Sequence, residues 1–195
     1  MTMRGMTFIE MLIVLAIASV ITVAIADSVL YFYRANGSSL EESYQIQSGQ
    51  NGMGALVHDL REATYGDDGS YPLASIASSS VTFYADVDRD LSVERVHYEL
   101  NGTQLTRTVT NATGTPPTYT GPAATSTVSN YVRNFSDNVP VFTYYDKDGV
   151  QVTDPAHIAD ITSVTINIIV DVTQLHLPGE FTLRSGATLR NLRPQ

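Results

Sequence analysis

Three aspartates at alternate positions come closest to the ligand spacing of a metal site. Asp86, Asp88 and Asp90 are spaced like the carboxylates of calcium-binding loops. An EF-hand, however, has Gly at the sixth position of the loop and Glu at the twelfth, where this chain has Leu91 and His97. The sequence therefore favours a solvated hairpin tip and no cofactor. Calcium bound by the three aspartates is the less favoured alternative, and an unchanged melting temperature on adding calcium would exclude it.

The other chemically capable residues form no catalytic motif. The chain has no cysteine, which excludes disulfides, thiolate nucleophiles and Cys-based metal sites. It has no nucleophile-elbow, P-loop or dinucleotide-binding glycine motif. No two of the four histidines have the spacing of metal ligands. The four are His58, His97, His157 and His176. We therefore expect that the protein is not an enzyme.

A carboxylate near the start of a long apolar run is the second unusual feature. The run extends from Met6 to Ala26, and Glu10 is its only charged residue. As a helix it would be roughly 31 Å long, enough to cross the hydrocarbon core of a bilayer. A carboxylate in such a helix is costly in lipid and usually functional.

Two ordinary explanations of this segment compete. A secretory signal peptide would end in small residues such as Ala24-Ile25-Ala26, but its apolar run is shorter than this one. A plain anchor that tethers an extracytoplasmic binding protein explains the length. It explains Glu10 only if the carboxylate extends to the nearby cytoplasmic interface.

The residues before and around Glu10 resemble the class III signal of type IV prepilins. In that family a basic residue and a Gly precede the cleavage point, an apolar residue (usually Phe) starts the mature chain, and Glu is its fifth residue. Arg4, Gly5, Met6 and Glu10 match this pattern, with Met6 in place of Phe. The resemblance implies cleavage between Gly5 and Met6 by a prepilin peptidase and N-methylation of Met6.

The resemblance also implies a role for each matching residue. Arg4 would keep the leader in the cytoplasm, by the positive-inside tendency. Glu10 would pair with the amino group of Met6 in a neighbouring subunit, so that a filament subunit depends on Glu10 whereas a simple tether tolerates Glu10→Ala. The implied partners are the peptidase, other pilin or pseudopilin subunits, the inner-membrane assembly platform and, before assembly, membrane lipid. The head would lie outside the cytoplasm, and on the cell surface after assembly.

The elements that must position these residues begin with a helix that continues beyond the apolar run. Tyr31, Phe32 and Tyr33 are placed to form an interfacial aromatic belt. Further along, five apolar residues share one helical face, and they are Ile46, Met53, Leu56, Val57 and Leu60. The helix is expected to end at residues 64–66.

Two features of this second helical stretch leave its packing open. Gly49, Gly52 and Gly54 either permit close packing on the head or mark local unwinding. Asp59 and Arg61 are expected to lie on a solvated face. The region also resembles the helix end of the PilW and J-type groups of minor pilins and pseudopilins.

The rest of the chain reads as an antiparallel β-domain. Asn101-Gly102, Asp148-Gly149 and Pro178-Gly179 predict turns, whereas 110–129, rich in Thr, Ser, Gly and Pro, predicts a long loop. A short helical turn is expected at 155–159. Alternating apolar and polar residues predict strands at 80–85, 93–100, 104–109, 139–145, 150–152, 161–173 and 181–184, with 187–192 closing the chain.

The predicted fold class is α+β, with a long N-terminal helix packed on an antiparallel β-sheet head, as in pilins. The predicted parts are a leader (1–5), a transmembrane and filament-core helix (6–26), an amphipathic continuation (27–66) and a β-rich head (67–195). The formal charge of -9 argues against nucleic-acid binding, which requires clustered cations. By family resemblance, the large head without a Cys pair favours a minor subunit.

Overall fold

The structure of the 195-residue chain is a computed structural model. It describes residues 7–171 and 180–189, without the side chains of 35–45, 48 and 171. The predicted cleavage site, leader charge and N-methylation site, which involve Arg4, Gly5 and Met6, lie outside the described residues. So do His176 and the turn predicted at Pro178-Gly179.

The described elements are one long helix, nine strands and one short 3-10 helix. The helix, α1, spans Phe8–Arg61, and the 3-10 helix spans Pro155–Asp160. The strands are β1 (Leu73–Ile76), β2 (Ser80–Ala85), β3 (Glu94–Asn101), β4 (Gln104–Thr110), β5 (Ala123–Ser129), β6 (Phe142–Asp146), β7 (Gln151–Val152), β8 (Ile161–Asp171) and β9 (Glu180–Thr188).

The chain divides into two compact units, Met1–Glu42 and Ser43–Gln195. In the first unit the described residues from Phe8 onward are helical, and every side chain described there, up to Arg34, is exposed. The second unit contains the last part of α1 and all nine strands. Its buried residues begin with Gly49 and Met53 on α1 and extend to Leu189.

Two antiparallel sheets form most of the second unit. The first is a meander in the order β1-β2-β3-β4-β5, and the second has the order β7-β6-β8-β9. The end of α1 contributes Met53, Leu56, Val57 and Leu60 to the same core as residues from both sheets. These four residues include most of the apolar face predicted from their spacing. The chain is therefore α+β, with an apolar N-terminal helix and a C-terminal antiparallel sheet region, as the sequence predicted.

The predicted loop at 110–129 is wrong in its last part. β5 pairs there with β4, in a register that places Thr108 opposite Thr125 and Val109 opposite Ala124. β5 is an edge strand with mostly exposed side chains, so it lacks the apolar alternation that marks a half-buried strand. The short strand β1 was not predicted. The strand predicted at 181–184 does not end there, because β9 is continuous to Thr188, and residues 190–192 of the last predicted segment lie outside the described residues.

The helix continues without interruption through Gly49, Gly52 and Gly54, so the unwinding alternative is wrong. A Cβ atom at Gly52 would lie 2.7 Å from the backbone carbonyl oxygen of Val128, and one at Gly49 would lie 2.9 Å from Leu183 Cδ1. A Cβ atom at Gly54 would meet no atom within 4 Å. Close packing therefore explains Gly49 and Gly52, but not Gly54. α1 ends at Arg61, before the predicted residues 64–66.

Candidate functional site

The exposed apolar half of α1 is the first candidate. Among the described residues, one helix is long and apolar enough to cross a membrane, over Phe8–Arg34, and none of it is buried against protein. A helix with this composition cannot be stable as a bare surface in water, because so much apolar area would stay exposed. It needs lipid or other protein around it.

The two hydroxyl side chains between Phe8 and Ala26 are satisfied by the helix itself. Ser19 Oγ donates to the carbonyl oxygen of Ala16, and Thr22 Oγ1 donates to that of Ala18, both at 2.8 Å. Polar groups in the hydrocarbon region must find partners within the protein. These two residues therefore add little to the cost of placing the helix in lipid.

Glu10 lies in the first turn of α1 and forms a capping box with Thr7. The Thr7 backbone N–H donates to Glu10 Oε2 at 3.3 Å, and the Glu10 backbone N–H donates to Thr7 Oγ1 at 3.4 Å. This reciprocal pair satisfies two backbone donors that the start of a helix leaves without partners. The capping role was not predicted, although Thr followed three residues later by Glu is the usual signature of a capping box.

The far end of the apolar segment carries the predicted aromatic cluster. Tyr31, Phe32 and Tyr33 are 74%, 69% and 81% exposed. Three consecutive helical positions cover more than half of the helix circumference, so the rings project in several directions rather than into one contact. This arrangement suits a headgroup layer that surrounds the helix.

In the second unit, Asp59 is buried, so the prediction that it lies on a solvated face is wrong. Its side chain is 8% exposed, and Oδ2 accepts from Tyr98 Oη and from Arg107 Nε, both at 2.8 Å. Asp59 lies three residues after Leu56 and one before Leu60, so helical periodicity already placed it at the edge of the buried face. Arg61, by contrast, is exposed as expected.

The interactions among Asp59, Tyr98 and Arg107 have a structural role. Burial raises the pKa of Tyr98 far above its ordinary range, and the negative charge of Asp59 adds to that effect. Burial, the largest single effect, would lower the pKa of Arg107, but the interactions with Asp59 and Tyr98 together outweigh it and the pKa is raised. Tyr98 therefore stays neutral and Arg107 stays charged, and their hydrogen bonds to Asp59 hold the end of α1 against β3 and β4.

The turn between β2 and β3 carries the second candidate. One carboxylate oxygen from each of Asp86, Asp88 and Glu94 lies within 4.8 Å of the other two. The structure does not include Asp90 in this group, and Asp90 Oδ1 accepts instead from the Ser92 backbone N–H at 2.8 Å. Of the three predicted aspartates, two are therefore brought together, and they are joined by Glu94.

Glu94 was missed because it was assigned only to a strand. It is fully buried, and burial raises the pKa of its carboxyl group, with a further rise from Asp88 and the other loop aspartates. The strand pattern contained the relevant indication. Val96, Tyr98 and Leu100 alternate on the buried face of β3, and Glu94 continues that alternation inward.

The histidines in the described ranges take part in local contacts. His97 Nδ1 lies 2.9 Å from Thr82 Oγ1, and His157 Nδ1 lies 3.0 Å from Asp160 Oδ2. His58 is exposed on α1. Within residues 7–171 and 180–189, no histidine belongs to a cluster able to hold a metal ion.

Compared with known proteins, the chain matches no family model and no curated sequence.

Proposed function

We propose that this chain is a structural filament subunit, a minor pilin or pseudopilin of a type IV pilus-like or type II secretion-like filament. One observation carries the proposal. The exposed apolar helix at Phe8–Arg34 has a carboxylate, Glu10, in its first turn, and no other charged residue precedes Asp27 in the helix. A membrane tether explains the apolar surface. A subunit that moves from lipid into a filament core explains the carboxylate as well.

The proposed assembly sequence starts in the cytoplasmic membrane. The helix holds the subunit in lipid, with Arg4 on the cytoplasmic side and the second unit outside the cytoplasm. A prepilin peptidase then cuts between Gly5 and Met6, and the new amino group of Met6 is N-methylated. The assembly platform transfers the helix from lipid to protein neighbours.

Glu10 acts differently before and after that transfer. In the separate chain its carboxylate is held by Thr7, which reduces the cost of placing it near the membrane interface. In the filament we propose that it pairs with the positive amino group on Met6 of an adjacent subunit. A charge buried between helices requires such a partner, so only a correctly docked subunit is stable. Docking in the wrong register would leave both charges without partners.

The second unit contributes the part of the subunit that distinguishes it from its neighbours. Its core is continuous from the end of α1 through both sheets, so it can remain folded while the apolar helix changes its surroundings. The proposed mechanism is assembly, without substrate turnover. Direct binding of nucleic acid remains unexpected, because the chain has 20 acidic and 11 basic residues.

The decisive experiment determines the N-terminal residue of the protein by mass spectrometry, in cells with and without a prepilin peptidase. We expect N-methylated Met6 when the peptidase is present and an uncut chain when it is absent. A chain that starts near Asp27 would indicate an ordinary signal peptide. A chain uncut in both strains would indicate a simple membrane tether, and either result would overturn the proposal.

A further inference from the structure

The connection between β2 and β3 places three carboxylates around one point. Asp86 and Asp88 belong to the turn, and Glu94 is the first residue of β3. A carboxylate oxygen of each lies within 4.8 Å of the others. Three negative charges this close repel one another, and the free energy of the folded state rises unless something neutralises them.

One of the three carboxylates is buried with an oxygen that has no partner. Glu94 is 0% exposed, and its Oε2 accepts from the Val87 backbone N–H at 2.9 Å. Its Oε1 has no hydrogen-bond partner among the residues that the structure describes. A buried carboxylate oxygen without a partner is costly, and natural proteins rarely keep one without a bound ion, a water or a functional reason.

The surrounding backbone holds these carboxylates in place. Asp86 Oδ1 accepts from the Arg89 backbone N–H at 2.6 Å, and Asp88 Oδ1 accepts from the Asp90 backbone N–H at 3.2 Å. The Val87 backbone N–H does the same for Glu94. A backbone N–H therefore orients one oxygen of each of the three carboxylates. The second oxygen of each side chain is then available for an ion.

We propose that Asp86, Asp88 and Glu94 form a calcium site at the start of β3. All three donors are carboxylate oxygens, which suit hard cations rather than zinc or copper. Three oxygens within 4.8 Å of one another leave a central point no more than about 2.8 Å from each, so a small side-chain movement brings all three to the roughly 2.3–2.6 Å at which Ca²⁺ binds oxygen. Magnesium is smaller, usually takes only one or two carboxylates and keeps most of its water.

This site differs from the one that the spacing of the aspartates suggested. Glu94, eight residues after Asp86, takes the place of Asp90, and the burial of Glu94 anchors the ion to the sheet rather than to the solvated tip of the turn. The proposal goes beyond the filament role and does not depend on it. A calcium site would stabilise the head whether the protein assembles or only anchors it.

The test uses the full chain, purified in a non-ionic detergent and freed of metal with EDTA. We expect one Ca²⁺ to bind per chain with a Kd below about 1 mM, the range of extracellular calcium modules. We also expect the thermal midpoint, followed by near-ultraviolet circular dichroism, to rise as Ca²⁺ is added. Mg²⁺ at the same concentrations should produce a much smaller rise.

Two matched variants locate the site. Glu94→Gln keeps an acceptor for the Val87 N–H and should fold normally in EDTA, but its Ca²⁺ affinity should fall by more than about tenfold. Asp90→Asn removes one charge from the same turn and should keep its affinity within about threefold. A wild-type chain that neither binds Ca²⁺ nor gains thermal stability overturns the proposal. So does an equal response to Mg²⁺, or an Asp90→Asn variant as impaired as Glu94→Gln.

Discussion

Tyr98 in the middle of β3 donates its hydroxyl hydrogen bond to Asp59 near the end of α1, at a distance of 2.8 Å. The same carboxylate oxygen accepts from Arg107 on the neighbouring strand β4. A single buried oxygen thus joins the helix to two strands of the first sheet. Because the ring of Tyr98 also stacks on Phe83, with centroids 6.1 Å apart, the contact fixes the apolar and polar parts of the core together.

Asp59→Ala is expected to destabilise the head. The substitution leaves the guanidinium of Arg107 and the hydroxyl of Tyr98 without their shared acceptor. The Arg107 side chain is 26% exposed, so water offsets part of the loss, and we expect a decrease of about 2–4 kcal/mol in the free energy of unfolding. Urea unfolding of the full chain in detergent measures it. Asp148→Ala is the control, because its pair with Lys147 is two-thirds exposed and should contribute little. Equal losses in the two variants would contradict the structural role of Asp59.

Gly52→Ala and Gly54→Ala are expected to have opposite effects, although the two positions lie two residues apart in one helix. A methyl group at Gly52 would press on the Val128 backbone, so the unfolding free energy should fall by about 1–3 kcal/mol. At Gly54 the methyl group meets open space, and the higher helix propensity of Ala should stabilise the protein by up to about 1 kcal/mol. Two equal effects would mean that the helix does not approach β5 as closely as described.

Alkaline pH is expected to destabilise the head through two buried tyrosines. Burial raises the pKa of Tyr98 and Tyr144 above the ordinary value of 10.0, so both stay protonated in the folded state where unfolded tyrosine ionises. Their contribution to stability is complete below pH 10 and is lost as the pH rises beyond it. Above pH 10, ionisation of each tyrosine in the unfolded state should lower the free energy of unfolding by about 1.4 kcal/mol per pH unit.

Tyr144→Phe isolates one of these two contributions. The variant loses the hydrogen bonds from the Tyr144 hydroxyl to the carbonyl oxygens of Ala77 and Ser80, so it should be less stable at neutral pH. Its stability should then decline less steeply than that of the wild type between pH 10 and roughly pH 12. Parallel curves from urea unfolding at several pH values would show that Tyr144 ionises equally in both states.

Glu10→Gln and Thr7→Val separate the capping role of Glu10 from the proposed pairing role. Gln still completes a capping box but carries no charge, so Glu10→Gln should insert in the membrane and be incorporated into filaments at least about tenfold less than the wild type. Thr7→Val removes the capping hydroxyl but leaves the carboxylate, and should assemble nearly normally. The measurement is the amount of tagged subunit in sheared filaments relative to the membrane fraction. If capping were the only role of Glu10, the two variants would show the reverse order.

The sequence by itself determined the elements whose causes are local. The apolar run of α1, the alternation in β2, β3 and β4, and the Asn101-Gly102 turn all depend on residues close together in the chain, and each lies where it was predicted. β5 escaped prediction because an exposed, Thr-rich edge strand is stabilised by its partner strand rather than by its own apolar pattern.

Only the tertiary structure decided which polar residues are buried and what they face. Asp59 meets Tyr98 and Arg107 across 39 and 48 residues of sequence, and helical periodicity, which places Asp59 at the edge of the buried face, does not specify these partners. The alternation of β3 in the sequence places Glu94 on the buried face of that strand. Its closeness to Asp86 and Asp88, however, depends on how the turn between β2 and β3 folds back. The physical reason is the same in both cases. Burial of a charge is set by the groups that surround it in space, and distant parts of the chain supply those groups.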